Sequence, residues 1–457
     1  MAPKRSLPES GPYSIFELDR LCAQPEVGET AAVKILKFVL QHGLADDDLS
    51  LIPHLRLGVP QRAYDFVRTG CFVHSAKIVE RLESGRGDTT KLLIELRDGH
   101  RVETVVMRHA NRSTVCVSSQ IGCQMGCKFC AVSYPLTAHC FIMPCLDASQ
   151  TGTMGIIGNL TAGEIIEQVV FASRLTSVRN VVFMGMGEPL NNYANVRVAL
   201  RFLVSDKLMA LSARHVSVST VGVLQGMRRL TEEMPEVNLA LSLHAPNQEV
   251  RRKIVPAAAG CHIDSLMAAV DAHVAANPFA RASAESLEST SQRRIVGVMI
   301  EYILIKDVND RPEHAHELGQ LLRSRRGHIL LNLIPYNPTE VCEAFEAPSK
   351  EDIDRFFGIL VAEPYRIVTR VRREMGQDIA GACGQLALVN PADKPRLRDI
   401  EDAVAESAVK DKARREAGAK RTASSSPSYA SMVQLAVASA LLIGATSVVL
   451  RLLRKHS

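Results

Sequence analysis

The apolar and polar positions of this chain change period twice. From about Tyr13 to Arg68 the apolar residues recur at helical spacing, most plainly in Ala31 to Gln41 (A-A-V-K-I-L-K-F-V-L-Q), where they line one face of a helix. From Phe72 to Met107 the pattern shortens to alternation, in K-L-L-I-E-L-R and then R-V-E-T-V-V-M. Alternation sends every second side chain to the same side of a sheet, and Asp98-Gly99 between the two runs signals a hairpin turn. From Thr114 onward strand and helix patterns alternate. Strands are predicted near 115–118, 179–185, 214–220, 237–243, 294–304, 328–334 and 366–371, with helices such as 162–175, 195–204, 223–233 and 350–361 between them. The first of these helices opens T-A-G-E, Thr161 to Glu164, a capping-box start. Six or seven βα repeats over about 270 residues predict an α/β fold with a parallel, barrel-like sheet. A ligand site then belongs at the C-terminal ends of the strands, where the cysteine loop, Gly185 to Pro189, Ser219 and Ser242 to His244 all fall.

The same pattern divides the chain. Residues 12–70 form a small N-terminal helical accessory domain, 71–113 a β-hairpin platform and 114–390 the catalytic core. The stretch from about Asn277 to Arg294 is rich in Ala, Ser and Glu without a period and reads as a solvated loop. Residues 391–430 are charged and Ala-rich, with S-S-S-P-S near their end, and read as a partly helical, partly disordered linker. Met432 to Leu450 then carries no formal charge and is followed by R-L-L-R-K-H-S. At about 1.5 Å per residue that segment just reaches across a bilayer. The expectation is a C-terminal transmembrane anchor over 431–453, with a buried or amphipathic helix as the alternative.

Composition narrows the picture. With 46% hydrophobic and 23% charged residues among 457, most of the chain is globular. The net charge of +5 tolerates an anionic partner such as RNA without demanding one. Trp is absent and aromatics make up 5%, which excludes a broad base-stacking platform. The first ten residues have no apolar core of a secretory signal and no evident transit peptide. A cytoplasmic or organellar, reducing setting follows, in which the cysteines serve chemistry and not structural disulfides.

Four of the eleven cysteines are the densest chemical signal: Cys116, Cys123, Cys127 and Cys130, in V-C-V-S-S-Q-I-G-C-Q-M-G-C-K-F-C. The last three form C-x3-C-x2-C directly after a strand-like segment. Three thiolates can hold three irons of a [4Fe–4S] cluster and leave the fourth iron open to a small molecule. The competing reading is zinc, with Cys140 or Cys145 as a fourth thiolate. Structural zinc sites favour C-x2-C knuckles, and a C-x3-C start suits them less well.

Further motifs follow in order: F-M-G-M-G-E-P-L (183–190), S-V-S-T-V-G (217–222), L-S-L-H-A-P-N (241–247), N-L-I-P-Y-N-P (332–338) and G-A-C-G-Q-L (381–386). Together with Cys116 to Cys130 they resemble the radical S-adenosylmethionine (SAM) RNA methyltransferases of the RlmN/Cfr type, over about residues 12–390. The resemblance implies a partial (βα)6 radical-SAM barrel behind a small helical domain, and methylation of an adenine ring carbon in large-subunit rRNA, in some members also in tRNA. It implies carbon 2, the RlmN-type position, with carbon 8, the Cfr-type position, as the alternative. Pro189 after Gly-Glu leans to carbon 2.

By the same resemblance Cys123, Cys127 and Cys130 hold the cluster, whose open iron takes the amino and carboxylate groups of SAM. Gly187, Glu188, Ser219, Ser242, Leu243, His244 and Asn337 match SAM contacts. Cys383 matches the methyl-carrying cysteine. A first SAM methylates its thiolate, a second is cleaved to a radical that takes hydrogen from that methyl group, and the resulting carbon radical adds to adenine. Cys116 matches the resolving cysteine, which frees the product by forming a disulfide with Cys383. Glu103 aligns with a proton acceptor, and an electron donor for the cluster is implied as a partner. Two other classes stay open at this point: a non-catalytic zinc RNA-binding protein and an inactive paralogue.

One departure bears on the cluster. The family reads F-C-A-T-G after the third cysteine, whereas here nineteen residues, Val132 to Gln150, intervene before T-G-T-M-G. Every Val codon begins GT and a Gln codon can be CAG, so the segment has the ends of an intron and keeps the frame. The hypothesis is a translated intron; the alternative is a genuine loop, in which Cys140 and Cys145 would be extra ligands. Sequencing of transcripts from the native cells is expected to find a message lacking these nineteen codons. Messages that all retain them would rule the intron out.

Overall fold

The structure is a computed structural model, and it describes residue 5 and residues 11–43, 48–133, 156–279, 298–339, 345–372 and 375–386. All of these lie in one compact unit, residues 1–391. The linker, the apolar C-terminal segment, the insert from residue 134 onward, Cys140 and Cys145 fall outside the described residues. Among the described residues no helix is long and apolar enough to cross a membrane.

The strands in chain order are β1 (Tyr13–Ser14), β2 (Cys71–Phe72), β3 (Ala76–Glu83), β4 (Thr89–Leu96), β5 (Arg101–His109), β6 (Arg112–Cys116), β7 (Gln120–Ile121), β8 (Gly158–Asn159), β9 (Val178–Phe183), β10 (Val216–Thr220), β11 (Asn238–Ser242), β12 (Val298–Leu304), β13 (Ile329–Pro335) and β14 (Thr369–Val371). Ten of them make one sheet in the order β14-β13-β12-β11-β10-β9-β6-β5-β4-β3. From β6 to β14 sheet order equals chain order and every neighbouring pair is parallel. Each step crosses over through helix, so the core is an open (βα)6 progression of the α/β class that the alternating pattern predicts. The hairpin strands β3 to β5 extend this sheet antiparallel past β6. Their Asp98-Gly99 turn forms as expected: Gly99 sits at φ 84 and its N–H donates to the Leu96 carbonyl at 2.9 Å.

The helices are α1 (Leu18–Cys22), α2 (Gly28–His42), α3 (His54–Leu57), α4 (Gln61–Gly70), α5 (Ala162–Ser173), α6 (Tyr193–Val204), α7 (Leu224–Glu233), α8 (Gln248–Ile254), α9 (Ile263–Ala276), α10 (Pro312–Leu322) and α11 (Lys350–Val361). The capping box at the start of α5 is complete: the Thr161 hydroxyl accepts from Glu164 N–H and the Glu164 carboxylate accepts from Thr161 N–H. Such a cap satisfies amides that have no partner within the helix.

Period two in the strands sorts the two faces of the sheet. Val115, Val181, Val218, Leu239, Leu241, Ile300 and Leu331 point to one face and are fully buried, packed in one core with Ile165, Leu200, Leu230, Leu266, Leu318 and Phe356 from the helices. The opposite face carries Cys116, Ser217, Ser219, Ser242, Glu301, Asn332 and Arg370, aligned in rows by the parallel register. Polar residues on the inner face of a parallel sheet are the unusual feature, because strands covered on both sides are ordinarily apolar throughout.

The N-terminal helices join the core through a buried acid. Glu167 of α5 accepts hydrogen bonds from the Ser14 hydroxyl (2.5 Å), the Ser75 hydroxyl (2.8 Å) and the Ser75 N–H (2.8 Å). Loss of water outweighs these donors and pushes its carboxyl up to about 8. A carboxyl raised from about 4.5 in the unfolded chain favours folding fully below that value, and the contribution is lost as pH rises through about 8. Melting curves from pH 4.5 to 8.5 should therefore show the wild-type Tm falling relative to that of Glu167→Gln. A difference independent of pH would contradict the assignment.

Candidate functional site

The cysteine loop leaves the C-terminal end of β6 and is braced at once. Gln120 and Ile121 pair with Asn159 and Gly158 in the short β7–β8 ladder, and Gly122 and Gly126 turn the chain at φ 78 and 67. Cys123 and Cys127 are buried and Cys130 is half-buried, and none of the three is in a disulfide. Burial pushes the Cys123 thiol up to about 12, with the charge of Cys130 adding to it. Cys127 is also raised well above the ordinary thiol value, by burial first and then by Cys130, Cys123 and Glu188. The three sulfurs therefore sit within electrostatic reach of one another. Among the described residues no group of His, Cys, Asp or Glu is gathered tightly enough to hold a single metal ion, whereas a cubane takes its thiolates at separate corners. Two buried thiols and a half-buried one, within electrostatic reach of one another, are a donor set that fits an iron–sulfur cluster, since metal ligation is what makes their anionic form favourable.

The second chain segment of the site is the loop of Cys383. Ala131, directly after Cys130, donates its N–H to the Gly384 carbonyl at 2.7 Å. Gly384 sits at φ +84, and a Cβ there would lie 3.1 Å from the Phe129 carbonyl oxygen. Asn337, expected at the cofactor, holds this loop here: it donates to the Cys383 carbonyl at 3.0 Å and accepts from Gln377 at 2.7 Å. Gln385 donates to the Pro338 carbonyl at 3.0 Å. The loop that carries Cys383 is thus fastened on two sides, to the cysteine loop and to the end of β13.

Cys116 ends β6 and is buried, which pushes its thiol up to about 12, with Cys383 the next cause. Arg372, just past β14, is a residue that motif reading passes over. It faces Cys383, Glu301 and Cys116, and the nearby negative charges, Cys383 first, raise its own pKa. Glu301 on β12 is buried; burial raises its carboxyl, Arg372 opposes this, and Asn332 donates to one oxygen at 2.9 Å. Glu103 on β5 is buried and pairs with Lys91 at 2.8 Å. Lys91 also reaches the Ala380 carbonyl at 3.4 Å, which places the pair beside the Cys383 loop. The Glu103 Oε2 atom has no protein partner.

The third group lies at the strand ends. Gly187 sits at φ 96, and a Cβ there would lie 2.4 Å from Gln120 Cβ, so the G-M-G-E turn packs directly on the cysteine loop. The buried Glu188 accepts from Leu190 N–H at 3.1 Å and Val221 N–H at 2.9 Å. Desolvation lifts its carboxyl to about 7. A carboxylate has about four acceptor sites, so acceptor capacity remains for a ligand ammonium group. The Ser219 and Ser242 hydroxyls meet at 3.2 Å. Leu243 is fully buried, and its N–H and that of His244 donate to the Glu301 carbonyl at 3.0 and 3.2 Å. His244 holds φ 60, accepts from Ile303 N–H at Nδ1 (3.1 Å) and meets the Phe129 ring edge-on at 4.8 Å. Burial first, then Arg251, depress its pKa to about 3. A neutral ring accepting at Nδ1 carries its proton at Nε2.

The profile of the radical SAM superfamily matches residues 117–276. Ribosomal RNA large subunit methyltransferase N of Nitrosopumilus maritimus is 38% identical over 351 residues, 74% of this chain and 87% of that protein. Probable dual-specificity RNA methyltransferase RlmN of Enterococcus faecalis is 39% identical over 316 residues, 68% of this chain and 77% of that protein. A crystal structure of a radical SAM methyltransferase from Sphaerobacter thermophilus superposes with a TM-score of 0.66 at 34% identity, covering 82% of this chain and 99% of that one.

The positive φ and the close carbonyl at Gly384 yield a direct check. Gly384→Ala adds strain of about 1–2 kcal/mol and should free the Cys383 loop. Alkylation of Cys383 by iodoacetamide, followed by peptide mass spectrometry, should then run on the order of tenfold faster, with Cys71 unchanged. An unaltered rate would mean that the loop does not depend on this glycine.

Proposed function

We propose, for a chain that belongs to the RlmN-type family of radical SAM RNA methyltransferases, that it methylates carbon 2 of an adenosine in large-subunit rRNA through a methyl group carried on Cys383. Transfer RNA is assigned as a second substrate, in keeping with the dual-specificity names of relatives. The enzyme uses SAM and a [4Fe–4S] cluster. When bound, the two supply the one-electron chemistry that activates a methyl group held on sulfur. The observation that carries the reading is the Ala131–Gly384 contact, because it seats the Cys383 loop on the residue that follows the third cluster cysteine.

The chain's own residues divide the work. Cys123, Cys127 and Cys130 hold the cluster. Glu188 and the Ser219–Ser242 pair line the strand ends where SAM is bound, with Gly187, Leu243 and His244 shaping that surface. Asn337 is assigned to the SAM contacts as well, and it also fastens the Cys383 loop. Cys383 accepts the methyl group at Sγ by displacement, a reaction of the thiolate. Arg372 faces that sulfur and balances negative charge on it. Cys116 remains a thiol at rest, since burial holds its pKa near 12. It loses its proton in order to attack Cys383 Sγ; the bond from that sulfur to the methylene carbon on adenine breaks, the carbon keeps the electron pair and takes up a proton to become the methyl group, and the two cysteines, free in this structure, end as a disulfide. Glu103 takes the proton that leaves the adenine carbon, at the Oε2 atom that has no protein partner; Lys91 holds its other oxygen.

Two substitutions separate these roles. Cys383→Ala should abolish methylation while leaving the cluster chromophore intact. Cys116→Ala should stop the reaction after attachment and leave RNA covalently bound to Cys383, detectable as a protein–RNA band and as a modified Cys383 peptide. Nucleoside mass spectrometry of the wild-type product should give 2-methyladenosine. An 8-methyl product would overturn the carbon assignment, and full activity of Cys383→Ala would overturn the methyl-cysteine route.

A further inference from the structure

Arg251 of α8 is the largest fully buried side chain among the described residues, with 0% of its surface exposed. Its guanidinium lies across the ends of β10 and β11. Nε donates to the Leu243 carbonyl at 3.1 Å, and Nη2 donates to the Val221 carbonyl and, at 3.4 Å, to Ser242. Nη1 has no partner. Among the described residues no carboxylate pairs with it; the ionisable groups that act on it are the thiols of Cys261 and Cys127. A buried guanidinium without a counter-ion destabilises a fold by several kcal/mol, and three carbonyl dipoles do not replace an anion.

The surroundings indicate where the missing anion belongs. Ile254, one turn from Arg251 on the same helix, accepts from Lys128 N–H at 3.0 Å, and Lys128 follows Cys127. Cys127 and Phe129 share one apolar cluster with Val250, Ile254 and Val255, the residues that bracket Arg251. The helix bearing the unpaired cation is thus packed directly on the loop bearing the central cysteine. A cubane held by three thiolates is net negative and gains another negative charge on reduction, and nearby charge and hydrogen bonds to sulfur set its potential.

We propose that Arg251, a fully buried cation with Nη1 unpartnered beside Cys127, is the fixed counter-charge of the cluster and holds its reduction potential up. It is a positioning and tuning residue, not one that touches RNA. The inference rests on the reading that Cys123, Cys127 and Cys130 bind an iron–sulfur cluster. Arg251 also ties this tuning to the cofactor surface: the Val221 peptide accepts from Arg251 at its carbonyl and donates to Glu188 at its N–H.

The test compares reconstituted full-length wild type, Arg251→Lys and Arg251→Met under anaerobic conditions. Potentiometric titration followed by electron paramagnetic resonance reads the midpoint, and melting curves of the cluster-free proteins read the fold. At a fixed potential the reduced-to-oxidised ratio should fall at least about tenfold in Arg251→Met, a displacement of about 59 mV for one electron. Arg251→Lys, which keeps the charge, should stay within about threefold of wild type. Cluster-free Arg251→Met should melt no lower than cluster-free wild type, because it loses an uncompensated charge. An unchanged midpoint in Arg251→Met, an equal shift in Arg251→Lys, or a cluster-free Arg251→Met that does not fold would each overturn the proposal; the last would make Arg251 a strand-end staple. A wild-type chain that takes up iron and sulfide but shows no shift in the variant defeats this inference alone. One that takes up no cluster defeats the underlying reading as well.

Discussion

A single peptide hydrogen bond, from Ala131 N–H to the Gly384 carbonyl at 2.7 Å, closes the site. It links the end of the cysteine loop to a segment near the far end of the core. Both partners are backbone atoms, so the bond constrains chain path and not residue type, apart from the glycine that a positive φ and a close carbonyl require. Everything reactive is arranged around it. Cys383 lies one residue to one side and Cys130 one residue to the other, while Asn337 and Gln385 fasten the same loop to the end of β13. Two cysteine-bearing segments far apart in the sequence are held together by one backbone contact.

The sheet supplies the other half of the arrangement. A parallel (βα)6 progression must bury its outer face under helices, and it does so with Val, Leu and Ile. Its inner face holds Ser219, Ser242, Glu301 and Asn332 instead. Such residues are unfavourable in a dry core unless they are paired. Several are paired with each other: the two serines at 3.2 Å, and Asn332 with Glu301 at 2.9 Å. Glu301 nonetheless keeps one oxygen without a protein partner, and Arg372 faces it. The inner face is therefore polar, while the outer face carries the apolar core.

Much of the fold was legible because the outer face obeys simple periods. The strands β9 to β13 carry apolar residues at every second position on that face, and the T-A-G-E start of α5 carries its cap in its letters. The cysteines and the G-M-G-E turn were legible because their chemistry needs particular residue types at short spacing. What escaped reading was decided by which segments approach each other in space. Arg251 looks like the polar face of a short surface helix, and only the arrival of the cysteine loop and two strand ends buries it. Arg372 reads as one of several arginines in R-V-R-R. Asn337 could be placed at the site by its motif, yet its grip on Cys383 depends on a loop some forty-six residues later. The acid–base pair of Glu103 and Lys91 joins two hairpin strands whose letters are otherwise plain strand sequence.

The two-residue β7–β8 ladder has a consequence for how the cell perceives this chain. It pins the two ends of the span that contains Val132 to Gln150, with Gln120 opposite Asn159 and Ile121 opposite Gly158. Those nineteen residues roughly double the span, and the entropy of closing a chain segment grows only with the logarithm of its length, about 0.6 kcal/mol per doubling. Chaperones and proteases sample the unfolded fraction, which such a difference changes by less than threefold. Versions of the chain with and without the segment would pass that surveillance almost alike. Any selection between them would act at the cysteine loop and not through protein turnover.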